Sequence, residues 1–91
     1  MNNEQILKQM IELYGEIQTK LSVHPVSTEF KSRFIAEMES LLFMAFKEDH
    51  PIRTYFVQIR KNKSNPPEHL GELFGIFQAG MNLLKIQKEH L

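Results

Sequence analysis

A helix drawn through the last quarter of this chain, from Pro67 to Leu91, carries two apolar faces where a surface helix carries one. At 3.6 residues per turn, Leu70, Leu73, Phe74, Phe77, Met81 and Leu84 gather into one stripe. Ile76, Ala79, Leu83 and Ile86 line up roughly on the opposite side. One stripe can feed a core; the other requires a partner, either a further helix of the same chain or a second molecule. Gly71, Gly75 and Ala79 recur along the same helix, and Gly80 follows. Each helix-interior glycine costs about 1 kcal/mol against alanine, so something should offset it. A row of small residues lets another helix backbone come close, as in membrane helix pairs. Close packing inside the monomer is the first expectation for this row, and a seam between molecules the second.

The rest of the chain reads as helix throughout. Ile6, Met10, Leu13, Ile17 and Leu21 recur at helical spacing after Asn3, with Tyr14 at the margin, which predicts a first helix over about 3–21. Glu16 and Lys20 form an i, i+4 pair on its solvated side. His24-Pro25 forces a turn, because the residue before proline is pushed out of the helical region. Ser27 is the expected N-cap of a second helix over about 27–48, with Phe30, Phe34, Met38, Leu41, Leu42 and Ala45 as its stripe and Ile35, Met44 and Phe46 widening it. Pro51, capped by Asp49 or His50, opens a short third helix over about 51–62, with Ile52, Tyr55, Phe56 and Ile59 inward. The polar, proline-closed run from Lys61 to Pro67 is a loop, and a fourth helix over about 67–89 follows. Glu68 and Glu72 near its start, with Lys85 and Lys88 near its end, match the helix dipole. No alternation of strand type competes. The expected fold is all-α: one small up-and-down bundle of three long helices and a short one, with the core drawn from the first, second and fourth and the third closing one end.

A chain of 91 residues forms one domain and hides only about 60–65 per cent of its unfolded surface, so every large apolar stripe matters to stability. Lys plus Arg equals Asp plus Glu at 11 each, which is neither a polycation for nucleic acid nor an acidic tail. The absence of cysteine removes disulfides, thiolate nucleophiles and cysteine-ligated zinc, and fits a reducing compartment, with the cytoplasm as default. Met1 to Met10 lacks the apolar run of a secretory signal, and no stretch approaches the ~18 apolar residues of a membrane span. Asn62-Lys63-Ser64 therefore matches the glycosylation sequon in spelling only.

Patterns that carry chemistry are missing. His24, His50, His69 and His90 include no i, i+4 pair, and neither HExxH nor a Glu-x-x-His pair occurs. His69 and Glu72, one turn apart, are expected to be exposed first-turn residues, and Glu48-Asp49-His50 to be a cap. The serines lack a Gly-x-Ser-x-Gly turn, and the glycines form no phosphate cradle. These readings predict a non-catalytic chain with no metal or cofactor. Nucleic-acid binding has one local argument: Arg53, Arg60, Lys61 and Lys63 are four positive charges with no acid between Asp49 and Glu68. Against it, the fourth helix, which would read the groove, is apolar where a reading helix carries Arg, Asn or Gln.

From Phe46 onward, the segment Phe46-Lys47-Glu48-Asp49-His50-Pro51, then Tyr55-Phe56 and Ile59, a polar loop, and Leu70-Gly71-Glu72-Leu73-Phe74-Gly75-Ile76 resembles the small helical domain that precedes the effector domain in some bacterial abortive-infection and TIR-like nucleotide-binding proteins. That resemblance covers about half of the chain and contains no catalytic motif. It implies a folding, self-association or regulatory unit whose chemistry lies in another domain, and it assigns no site residues. Small soluble bundles also serve as bacteriocin-immunity proteins, an analogy of size and class alone.

The expected function is a helical interaction or self-association module. Its interface is Gly75, Ile76, Ala79, Leu83 and Ile86, meeting a second copy or a partner helix at helix-packing spacing. The alternative is a small nucleic-acid-associated protein using Arg53, Arg60, Lys61 and Lys63.

Overall fold

The computed structural model describes residues 2–23, 25–62 and 64–89, without the side chains of 23, 88 and 89. Four α-helices follow one another: α1 (Asn3–Val23), α2 (Thr28–Ala45), α3 (Pro51–Asn62) and α4 (Leu70–Glu89). A 3-10 turn, Pro66–His69, leads into α4. Among the described residues there is no strand, and the fold is the all-α bundle expected, three helices long and one short.

The helix ends follow from where free backbone donors find acceptors. At α1 the cap is Asn2, one residue before the Asn3 that the sequence pattern starts from. Asn2 Oδ1 accepts from the Gln5 N–H at 2.9 Å, and Gln5 Oε1 accepts from the Asn2 N–H at 3.4 Å, a reciprocal arrangement that satisfies two donors at once. Ser27 caps α2 as expected, its hydroxyl oxygen accepting from the Phe30 N–H at 3.3 Å. The expected end of that helix near residue 48 is too late. Phe46 is extended and its N–H closes the helix on Leu42 O at 3.0 Å, leaving residues 46–50 to reverse the chain before Pro51. His50 caps α3: its Nδ1 accepts from the Ile52 N–H at 3.2 Å and its carbonyl accepts from the Thr54 N–H at 3.0 Å. Pro51, which has no N–H to satisfy, occupies the first helical position. The fourth helix was expected from residue 67, but Pro66 and Pro67 wind the tighter 3-10 turn and α-helix begins at Leu70.

The packing order differs from the expected one. α1 packs on α2 and α4, and α3 also packs on α2 and α4, while α1 and α3 do not meet among the described residues. The central pair is therefore α2 and α4, flanked by α1 on one side and α3 on the other; α3 is a wall of the bundle and not a plug at its end. Phe56 of α3 is fully buried for this reason. Ile6, Met10, Leu13 and Ile17 of α1, with Phe34, Met38 and Leu42 of α2 and Leu73 and Phe77 of α4, fill the interior. Phe74 is half-buried and stacks on Tyr14 of α1, with ring centroids 4.8 Å apart.

Four residues expected on inward faces lie outside: Leu21, Phe30, Met44, which is 46% exposed, and Tyr55. Leu21 is 42% exposed in the last full turn of α1, and Phe30 is 39% exposed at the start of α2. Phe30 is covered by cations instead, with Lys20 Nζ and the Arg33 guanidinium each 5.3 Å from its ring centroid. The expected Glu16–Lys20 pair gives way accordingly: Glu16 meets Arg33 Nη2 across the α1–α2 groove at 3.4 Å.

Candidate interaction face

The outward side of α4 resolves the glycine pattern. A Cβ built at Gly80 would lie 2.9 Å from Leu42 Cδ2, 3.1 Å from Phe46 Cε2 and 3.2 Å from Ile52 Cγ2. Gly80 is thus the site where α2 and α3 approach α4, and its missing side chain is used inside the monomer. At Gly71 and Gly75 a Cβ would meet nothing within 4 Å. The expectation that the row Gly71, Gly75, Ala79 packs closely inside the monomer is therefore corrected: these residues face outward, and the intramolecular contact falls on Gly80, a quarter-turn away.

The expected interface residues divide in the same way. Ile76 is partly buried and packs against the core, so it is shared between the core and the outer face. Gly75, Ala79, Leu83 and Ile86 are exposed, Leu83 at 36% and Ile86 at 51%. The structure brings these residues onto one side of α4, and no element of the described chain covers it.

Tyr55 of α3, expected to point inward, is on the surface. It is 62% exposed, the most exposed of the large apolar side chains. The signal available in the sequence was redundancy: Ile52, Phe56 and Ile59 already complete the inward stripe without it.

The basic segment is largely committed to the fold. The Arg53 guanidinium lies 3.8 Å from the Phe43 ring centroid and donates to Phe46 O at 3.3 Å, which satisfies a carbonyl at the end of α2. Arg60 Nη1 meets Glu39 Oε1 at 2.7 Å, with both side chains only partly exposed, and ties α3 to α2. Lys61 is exposed on the last turn of α3, and Lys63 lies outside the described residues. Arg53 and Arg60 are therefore not free charges.

The remaining polar constellations are local. His69 Nδ1 and Glu72 Oε1 are 3.3 Å apart at the start of α4, so the two are in contact with each other and not simply the exposed first-turn residues expected. Glu12, Glu16 and Glu37 border an open groove of about 440 Å³ between α1 and α2, floored by Leu13, Leu41 and Met44. Among the described residues no group of three His, Asp or Glu side chains is placed to hold a metal ion, and no polar side chain is buried. Among the described residues no helix is long and apolar enough to cross a membrane.

No protein-family model, curated protein or solved structure matches this chain.

Proposed function

We propose that the chain is a non-catalytic helical module that acts by protein–protein contact, with self-association through the outer face of α4 as its principal form. The observation that carries this reading is the coincidence of exposed Leu83 and Ile86 with Gly71 and Gly75, whose absent side chains serve no contact in the monomer. A helix that keeps two glycines costing about 1 kcal/mol each, beside large exposed aliphatics, is shaped for a neighbour. From the resemblance of Phe46–Leu91 to the helical domain of abortive-infection and TIR-like proteins, we further propose an accessory role in a bacterial defence system, acting in the cytoplasm. The nucleic-acid alternative is weaker, since Arg53 and Arg60 are held by Phe43, Phe46 and Glu39.

Light scattering of the purified chain over a tenfold concentration range tests the reading. The mass should climb toward that of a dimer, and Leu83→Glu should return a folded monomer with unchanged helical circular dichroism. An unfolded Leu83→Glu chain would place Leu83 in the monomer core and sink the proposal. A strict monomer at every concentration would remove self-association and leave the face to the helix of a different protein.

A further inference from the structure

The outer face of α4 is asymmetric along its length: the small residues Gly71 and Gly75 occupy its N-terminal half, and the large Leu83 and Ile86 its C-terminal half. Ala79 lies at the midpoint of this strip. A parallel copy would set glycine on glycine and leucine on leucine, so that the large residues hold the helices apart and leave a gap at the glycine end. An antiparallel copy sets each large residue against the small half of its neighbour.

We infer that a second copy of this chain packs on the face antiparallel, crossing near Ala79, so that Leu83 of each copy enters the hollow formed by Glu72, Gly75, Ile76 and Ala79 of the other. Those four positions are i, i+3, i+4 and i+7, the set that surrounds an inserted side chain when helices interlock. With Ala79 on the two-fold axis, position 83 of one helix stands level with position 75 of the other, and position 86 level with 72. Ile86 then falls over Gly71 and Gly75, one turn beyond Leu83. Both glycines that contact nothing in the monomer thereby line a filled hollow, and their lack of side chains lets the two backbones approach.

Charge favours the same direction. Glu72 lies in the first turn of α4 and Lys85 toward its end, so antiparallel packing brings the acidic end of one helix to the basic end of the other. The helix dipoles also oppose head to tail. Parallel packing would stack Glu72 on Glu72. A contact one helix wide falls at or below the lower end of stable interfaces, about 1,200 Å², so the pair is concentration-dependent.

This inference rests on self-association through α4, and the chain's lack of cysteine permits a test that separates the two. Gly75→Cys, Ala79→Cys and Leu83→Cys are made singly, with Ser32→Cys on the exposed side of α2 as the control, one member of each mixture carrying a mass tag. Under mild oxidation Ala79→Cys should link to itself. A mixture of Gly75→Cys and Leu83→Cys should form the mixed disulfide at least about tenfold faster than the Ser32→Cys control. Gly75→Cys alone should not link above that control, because antiparallel copies hold the two sites about 12 Å apart along the axis, beyond disulfide reach of about 7 Å. Rapid self-linking of Gly75→Cys in a chain that is dimeric by light scattering would overturn the antiparallel arrangement and leave self-association standing. Failure of every pair to exceed the control, with a monomeric mass for the cysteine-free chain, would overturn both.

Discussion

Gly80 and Leu42 meet so closely that a Cβ at Gly80 would lie 2.9 Å from Leu42 Cδ2, inside normal contact. Leu42 is fully buried, and Phe46 Cε2 and Ile52 Cγ2 would lie 3.1 and 3.2 Å from the same Cβ, so three packed side chains would have to give way together. Removing a helix glycine ordinarily gains about 1 kcal/mol, whereas overfilling a packed core costs about 1–3 kcal/mol. Gly80→Ala should therefore lower stability by about 1 kcal/mol net, read from the urea midpoint at constant slope. A stabilised variant would show that α2 and α3 do not press on α4 at this point.

Gly75→Ala should do the opposite. Its Cβ would enter open space, so the propensity gain of about 0.5–1 kcal/mol is realised in the monomer. The larger change Gly75→Leu should likewise keep the fold while reducing self-association, because the hollow that receives Leu83 is filled. Thermal unfolding and light scattering on the same samples would show stability and association moving in opposite directions. Association that persists in Gly75→Leu would mean that Gly75 does not line the contact.

His50→Ala should loosen the start of α3. The Ile52 N–H loses the ring nitrogen that accepts from it at 3.2 Å, and Phe46 loses the imidazole packed 4.5 Å from its ring centroid. Loss of a helix cap costs about 1 kcal/mol. The check is amide hydrogen exchange, in which protection of the first turn of α3 should fall before that of α2. His50→Asn, which can supply an accepting oxygen, should restore most of it.

Arg60→Ala should cost up to about 1 kcal/mol in stability, since the Glu39–Arg60 pair is partly exposed and pairs of that kind contribute little more. Lys61→Ala, on the solvated side, should be neutral within about 0.5 kcal/mol. Paired urea titrations compare the two directly. Equal effects would mean that the 2.7 Å contact is not what holds α3 to α2.

Secondary structure was legible because it is a local matter. Period, proline and capping chemistry place α3 at the expected residues, and Ser27 is the cap that the spacing of its neighbours implies. The inward stripes of α1 and α4 were legible too, apart from Leu21 and the half-buried Phe74, since a helix of fixed pitch sorts its own side chains into faces. Identical reasoning stops at the helix surface. Gly71, Gly75 and Gly80 look alike in a sequence, and only the crossing of α2 and α3 over α4 makes one of them a required contact and leaves two open. Arg53 and Arg60 read as free charge because their partners, Phe43 and Glu39, belong to another helix. Tyr55 read as core because nothing local reveals that the fully buried Phe56 beside it fills that space. The sequence by itself determined which segments become helices and which sides are apolar, both set by covalent geometry and near neighbours. The tertiary structure alone decided which apolar side is covered, because that depends on how four helices divide a limited interior among themselves.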